Sequence, residues 1–326
     1  MMRMALGITQ KELVGTVECE EEEFYQNGMR KRICSEQTLS RMENGMQKMS
    51  QQTFLRLIKR MGGEIGSSYV SWDWEETEEM NKKRELERQL YWKHYSKGEQ
   101  LLKELEQRLE ERNRTDDVKK KNNQYLQSIR LYIWHEKKNI DSKYYIEQMR
   151  KLLKISIPNY EVIKKDQWPY RLEELYILNG IQRGYVECKE YGEAYRILEG
   201  IEHVMQYHYI MGTDAAWFQC LIKLEKSQIL ELMQNYEGAI ETAENGLKYS
   251  VEMDVADFLY RFLYQLAKNK EKLIQIKKMP EEVKKECLSE LREAYWIAKM
   301  MRAVDMQKLY EDHAKKYYGV SFQDER

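Results

Sequence analysis

YGEAYRIL at residues 191–198, YEGAIETA at 236–243 and LREAYWIA at 291–298 are three versions of one pattern. In each version an apolar residue precedes an alanine by three positions, and an apolar or small residue follows that alanine by four. Positions three and four apart lie on one face of an α-helix, and alanine on that face lets a second helix approach closely. The pattern therefore predicts an array of paired helices that pack through these alanines.

The spacing of the pattern indicates divergent repeats. Its alanines, Ala194, Ala239 and Ala294, are 45 and 55 residues apart. The tetratricopeptide repeat (TPR) has about 34 residues, so the helices here are expected to be longer than in a regular repeat. Upstream, apolar residues at helical spacing predict three further helices, over residues 75–112, 118–138 and 143–154.

The composition agrees with a helical protein. Of 326 residues, 33% are charged and 42% hydrophobic, and only 3 are proline and 16 glycine. So few prolines argue against a β-sandwich or barrel with its many turns, and the hydrophobic fraction is large enough for a buried core. No run of 18 apolar residues and no signal-peptide apolar region occurs. These observations predict a soluble, cytoplasmic protein that does not contact a membrane.

The residue types that carry catalysis or hold metals form no recognisable set. The cysteines (Cys19, Cys34, Cys188, Cys220 and Cys287) are scattered without a C-x-x-C pair, which predicts reduced thiols rather than a disulfide or metal site. No motif for a catalytic serine, a phosphate-binding loop or a dinucleotide occurs. The sequence therefore predicts no catalytic residue, no cofactor and no metal site.

Positive charge is concentrated near the N-terminus. Residues 29–62 contain eight Lys or Arg and two Glu, a net charge of +6, whereas the whole chain has a net charge of −1. A local basic surface is typical of a small nucleic-acid-binding module, although a solvated helix face would carry the same charge. The glycine-rich stretch at residues 62–68 ends this module.

Two segments of the basic module resemble the Xre/Cro-type helix-turn-helix family: ITQKEL at residues 8–13 and CSEQTLSRMENG at 34–45. The resemblance implies that Thr9 caps the second helix of the family and Ser35 the third, recognition helix. It also implies that Leu39 and Met42 face the core of the module. The side chains expected to contact DNA are then Ser35, Gln37, Thr38, Ser40, Arg41 and Lys48.

The module departs from the family pattern in two places. Gln10 and Ser35 are 25 positions apart, which leaves room for an insertion at about residues 17–31 that carries several glutamates. Only six residues precede Gly7, too few for the family's first helix. That helix is therefore expected either upstream of Met1 or to be missing from a degraded module.

A helix-turn-helix module followed by divergent TPR-like pairs is the layout of the RRNPP peptide-pheromone receptors. LLKISIPNY at residues 152–160 and EELYILNGI at 173–181 are similar to a stretch that recurs in that group. The resemblance implies an all-α chain with a helix-turn-helix domain at residues 1–62, a linker at 63–74 and a right-handed α-solenoid at 75–326. It further implies a homodimer, a palindromic double-stranded DNA operator and a short signalling peptide as partners.

The candidate peptide-binding residues lie on a first helix of the array. An extended peptide has unpaired backbone donors and acceptors, and a carboxamide serves both, so Asn179 is the leading candidate, with Tyr176 and Arg183 on the same helix face. The 45-residue interval places Gln228 at the position equivalent to Arg183 in the next pair. These groups would suit a short, mostly apolar peptide with a free carboxylate.

Two functions remain open at this point. The main interpretation is a peptide-sensing transcriptional regulator that dimerises through its C-terminal helices, with Trp296 and Met300 as contacts. The alternative is a non-catalytic scaffold that binds a peptide or protein and whose degenerate helix-turn-helix no longer binds DNA. The short N-terminus and the acidic insertion favour this alternative.

Overall fold

The computed structural model of the chain describes residues 9–14, 25–26, 29–30, 34–43, 53, 57, 74–111, 116–158, 170–207 and 213–323. It divides into two compact units. The first, here called the N-terminal unit, comprises Met1–Arg108 and Asn159–Tyr170, and the second, the repeat unit, comprises Leu109–Pro158 and Arg171–Arg326. The predicted linker at 63–74 lies outside the described residues except for Trp74, so the domain boundary stays a prediction.

The first described elements of the N-terminal unit are two short helices, α1 (Gln10–Val14) and α2 (Glu36–Glu43), which contact each other. Val14 of α1 and Leu39 of α2 are buried, as expected for residues that face a common core. Between these helices, β1 (Tyr25–Gln26) pairs with β2 (Met29–Arg30) in a two-residue antiparallel hairpin. The hairpin falls within the predicted insertion and is the one departure from helix and loop in the described chain.

Two longer helices follow, where the apolar spacing predicts a single helix over residues 75–112. The structure has α3 (Trp74–Tyr91) and α4 (Tyr95–Glu111), separated by a turn at Lys93. Ion pairs join the two helices, one from Lys82 Nζ to Glu104 Oε2 at 3.0 Å and one between Arg108 and Glu78. The prediction of one helix is therefore wrong, because this turn contains neither proline nor glycine to mark it.

The repeat unit is a stack of helices in which each contacts the next along the chain. We call α5, α7, α9 and α11 the first helices of the pairs, because each of these four helices also contacts the next one of the four, and we call α6, α8, α10 and α12 the second helices. This arrangement is the all-α solenoid of TPR-like pairs that the sequence predicts. The helices are α5 (Asp116–Glu136), α6 (Ser142–Ser156), α7 (Leu172–Glu187), α8 (Tyr191–Tyr207), α9 (Thr213–Leu232), α10 (Tyr236–Glu252), α11 (Leu259–Gln275), α12 (Lys284–Met300) and α13 (Val304–Tyr318).

The alanines of the repeated pattern are fully buried on the second helices, as predicted. Ala194 and Ala239 are the fourth residues of α8 and α10, so these two repeats are in register. The fourth residue of α12 is Cys287, also fully buried, whereas Ala294 lies two turns further along. The third match, at residues 291–298, therefore lies on the correct face of α12 but two turns after the position that corresponds to the other two. A buried cysteine takes the place of the alanine at the corresponding position.

Seven of the described helices end in the same way, although none of these seven ends contains a glycine. After α7, the N–H of Lys189 donates to the carbonyl of Val186 and the N–H of Glu190 to that of Tyr185, both at 2.9 Å. This Schellman closure places the second residue after the helix in the left-handed region, which favours glycine. In this protein the position is nevertheless occupied by residues other than glycine, with φ between 55° and 62°. They are Lys93, Lys138, Lys189, Gln234, Asp254, Lys277 and Arg302.

Glycine at one of these positions is expected to stabilise the protein. Lys189→Gly should raise the free energy of unfolding by about 0.5–1 kcal/mol, because relief of left-handed strain outweighs the added entropy of the unfolded chain. Lys248→Gly is the matched control in the exposed interior of α10 and should lower it by about 1 kcal/mol. Urea unfolding followed by circular dichroism measures both, and a loss of stability in Lys189→Gly would contradict the left-handed closure.

The cysteines and the apolar character of the helices bear on two kinds of feature, a disulfide and a membrane span. The four described cysteines are free, Cys34 and Cys188 half-buried and Cys220 and Cys287 buried. Burial raises the pKa of the Cys220 and Cys287 thiols to about 12, which keeps them protonated. Among the described helices, none is long and apolar enough to span a bilayer.

Candidate functional site

Helix α7 carries most of the candidate peptide-binding residues and is held close to α6. A Cβ atom on Gly180 would lie 2.7 Å from the Tyr145 hydroxyl, and one on Gly184 would lie 2.5 Å from Cγ1 of Ile146. Both glycines therefore permit an approach that any side chain would prevent. The start of α7 is fixed by the Glu174 carboxylate, which accepts the Arg171 backbone N–H at 2.9 Å. The opposite face of α7 is thus presented to the neighbouring first helices.

Arg183 joins three consecutive first helices. Its Nη1 donates to the hydroxyl of Tyr132 on α5 at 2.6 Å, and its Nε and Nη2 lie 2.8 and 2.5 Å from Oε1 of Glu225 on α9. The side chains of Arg183 and Glu225 are 24% and 10% exposed. A charged pair this deeply placed depends on its geometry, because both ions have lost most of their water.

Asn179 lies one turn before Arg183 and belongs to the same cluster. It is 4% exposed, and its side chain hydrogen-bonds to Glu225. Burial raises the pKa of Glu225, while the Arg183 charge and the Asn179 hydrogen bond lower it less than burial raises it. We name Tyr132, Asn179, Arg183 and Glu225 the polar cluster of the first helices.

Two other candidates lie outside the polar cluster. The ring of Tyr176 packs against Phe218 of α9 at a centroid distance of 4.4 Å, so it contributes to the contact between α7 and α9. Gln228 is exposed on α9. Gln228 and Arg183 each lie six positions before the closing residue of their helix, Gln234 and Lys189, but Arg183 is bound by Glu225 rather than by Gln228.

Sequence reasoning missed Glu225 and Tyr132. Glu225 lies at helical spacing from Leu221, Ile222 and Ile229 of α9, and an acid on this apolar face was a signal that a buried basic partner exists. Tyr132 lies at helical spacing from Ile129 of α5, as a core residue would, and is half-buried. Tyr132 can accept a hydrogen bond from Arg183 because of the way α5 stacks on α7. The sequence of neither helix alone indicates this stacking.

A second polar group lies where α5 ends and α6 begins. His135 is 1% exposed, its ring stacks on Tyr145 at 4.1 Å, and its Nε2 lies 3.0 Å from Ser142 Oγ and 3.3 Å from Glu187 Oε2. Burial lowers the pKa of His135, and the Glu187 charge opposes this less strongly. His135, Glu136 and Glu187 are close enough to share a metal ion. The Lys138 ammonium, 2.6 Å from Glu187 Oε1, already neutralises this carboxylate.

Helix α2 has the local geometry expected of a capped recognition helix. The Thr38 backbone N–H donates to Ser35 Oγ at 3.1 Å, and the two hydroxyls are 2.8 Å apart. Leu39 is buried and Met42 half-buried.

The other candidate DNA contacts lie on or beyond this helix. Gln37 and Arg41 are exposed, and Ser40 is half-buried. Lys48 lies outside the described residues, as do the expected helix end at 44–45 and residues 1–8.

The expected dimer contacts occupy different environments. Met300 is 75% exposed at the end of α12. Trp296 is half-buried against the C-terminal core and lies under the Lys299 ammonium, 4.4 Å from the ring centroid. Met300 can therefore contact a partner directly, whereas Trp296 already packs within the chain.

No protein-family model and no curated protein sequence matches the chain. Solved structures do match, among them Bacillus thuringiensis PlcR in complex with the peptide PapR7 and DNA, ComR from S. thermophilus in complex with DNA and its signalling peptide ComS, and the apo form of the competence regulator ComR from Streptococcus vestibularis. PlcR is 18% identical, covers 95% of both chains and has a TM-score of 0.58.

The two ComR structures, like that of PlcR, match nearly the whole length of this chain. The first is 11% identical, covers 98% of this chain and 97% of its own, and has a TM-score of 0.53. The second is 12% identical, covers 97% and 95%, and has a TM-score of 0.51. PlcR and ComR are RRNPP-type regulators. The resemblance seen in the sequence is therefore confirmed at the level of the fold, which this chain shares with PlcR and ComR over nearly its whole length.

Proposed function

We propose that the chain is a DNA-binding transcriptional regulator whose repeat unit senses a short intracellular signalling peptide of the quorum-sensing type. The observation that carries this proposal is the polar cluster, which concentrates hydrogen-bonding groups on three consecutive first helices of a solenoid. The first helices of successive pairs lie side by side in a solenoid and form an extended surface, which is where solenoids bind peptides. The likeness to structures solved with a peptide and DNA supports the same conclusion.

The polar cluster supplies a physical route from peptide to DNA. A ligand shifts a conformational equilibrium only by its differential affinity for the two states. A peptide bound at the polar cluster alters the links that Arg183 makes between α5, α7 and α9, and hence the stacking of the pairs. In a homodimer, that change alters the separation of two helix-turn-helix modules, which must match the half-site spacing of a palindromic operator.

On the proposed DNA-binding side, the side chains of Gln37 and Arg41 on α2 are exposed to solvent. The other candidate contacts near them are Ser35, Thr38 and Ser40. Arginine recognises guanine edges and phosphates through several donors in one plane. We therefore assign the recognition role to α2, with Lys48 as an additional phosphate contact.

Arg41→Ala is expected to weaken specific DNA binding about tenfold, the typical loss for one good contact. Sheared genomic DNA captured by the full-length chain and sequenced defines the operator, and a titration on that operator then measures the loss. Arg196→Ala, an exposed arginine on α8, is the control and should bind as the wild type does.

If wild type and Arg41→Ala both recover only random fragments at low salt, the chain is not a DNA-binding regulator. The non-catalytic peptide-binding scaffold is then the function that the repeat unit supports.

A further inference from the structure

The polar cluster contains two buried oxygen atoms without a hydrogen-bond donor. Both Nε and Nη2 of Arg183 bind the same oxygen of Glu225, Oε1. The other oxygen, Oε2, has no hydrogen-bond partner among the described residues, and neither has Oδ1 of Asn179. Both residues are more than nine-tenths buried. Each of the two oxygens therefore lacks a donor, and buried polar groups are rarely left in this state.

The charges around these two oxygens are also unbalanced. The Arg183 charge lowers the pKa of Glu225, while Glu136 adds a second negative charge that raises it. Tyr132 accepts a hydrogen bond from Arg183 and contributes no positive charge. A cation at this point would satisfy Oε2 and offset the excess negative charge, since an ionised donor forms the stronger hydrogen bond.

The same geometry argues against a carboxylate as the recognised group. Arg183 would be its natural partner, but two of its nitrogens are already held by Glu225 and one by Tyr132. A ligand carboxylate would also approach Glu225 and Glu136, both acidic. The free carboxylate that the sequence suggested as the recognised end of the peptide is therefore not the group that this cluster fits.

We propose that the peptide sensed by the repeat unit presents a positively charged donor, from a lysine or arginine side chain or its free N-terminal amine, to Glu225 Oε2 and Asn179 Oδ1. This inference rests on the proposed peptide-sensing function and names the chemical class of its ligand. It assigns Glu225 the role of specificity-determining residue, with Asn179 as the second acceptor. Arg183 holds Glu225 in place from the opposite oxygen.

The test is affinity selection of a random heptapeptide library on the full-length chain. Selected peptides are expected to be enriched in lysine or arginine at one position, or to require an unblocked N-terminus. Norleucine in place of the lysine or arginine removes the side-chain charge, and acetylation removes the terminal charge, so the two sources are distinguished. The effective change should weaken binding at least tenfold in calorimetry.

Glu225→Gln should reduce that tenfold preference to less than about threefold, because the amide keeps the shape but loses the charge. The norleucine or acetylated peptide should bind this variant as well as it binds the wild type. Glu231→Gln is the matched control, since Glu231 lies on the same helix, is 15% exposed and pairs with Lys268. It should leave the preference unchanged.

The outcomes separate the inference from the function on which it rests. If peptides bind without any preference for a cation, or if the preference survives in Glu225→Gln, the inference is wrong and peptide sensing stands. If no peptide from the library binds, peptide sensing fails and the inference fails with it. Circular dichroism of Glu225→Gln checks that the variant is folded when its preference is measured.

Discussion

Gly246→Ala is expected to destabilise the repeat unit by about 2–3 kcal/mol, the upper part of the range for forcing an extra carbon into a packed core. In an open helix the same change stabilises, because alanine is the better helix former. On α10, however, a Cβ atom at this position would overlap Cε1 and Cζ of Phe262 and lie 2.9 Å from Cδ1. Phe262 is fully buried on α11, so its ring has no space into which it can move.

Gly200 on α8 provides a control with the opposite sign. A Cβ atom there would meet no other atom within 4 Å, so Gly200→Ala should raise the free energy of unfolding by about 1 kcal/mol through helix propensity alone. Urea midpoints of the two variants, followed by circular dichroism, measure the difference. Equal stabilisation in both variants would show that α10 and α11 are not as close as the structure has them.

The small residues of the second helices explain why so much of the solenoid could be predicted from the sequence. Ala239, Ala243 and Gly246 are buried on one face of α10, at spacings of four and three. That spacing is a local property of one helix, so it is visible without knowledge of the partner. The same reasoning located the faces of α8 and α12, although Cys287 hid the register of the third repeat.

Features that depend on the stacking of different helices could not be predicted. The break at Lys93 was missed because a left-handed lysine leaves no mark in the sequence, unlike glycine. Glu225 and Tyr132 were missed as partners of Arg183 because the three side chains come from three helices, more than 40 residues apart. Asn179 and Arg183 could be named because they share one helix, yet their chemistry is determined by the others.

Arg183→Met is expected to lower the free energy of unfolding of the repeat unit by about 3 kcal/mol, because removal of one partner from a buried ion pair leaves the other charge uncompensated. Here the uncompensated charge is the Glu225 carboxylate, next to Glu136 and with most of its surface inaccessible to water. Lys278→Met is the surface control. Lys278 lies 3.1 Å from Glu237 and both are more than half exposed, so its loss should change the stability by less than about 1 kcal/mol.

The double variant Arg183→Met, Glu225→Leu separates the ion pair from the packing around it. With both charges removed and their volume roughly kept, most of the lost stability should return, since a buried pair is often no better than apolar residues of the same size. Urea unfolding of the wild type, both single variants and the double variant gives the coupling between the two residues. Recovery of stability together with a loss of peptide binding would mean that this pair is required for recognition rather than for the fold. A double variant as unstable as Arg183→Met would instead show that Arg183 stabilises the first helices mainly through Tyr132.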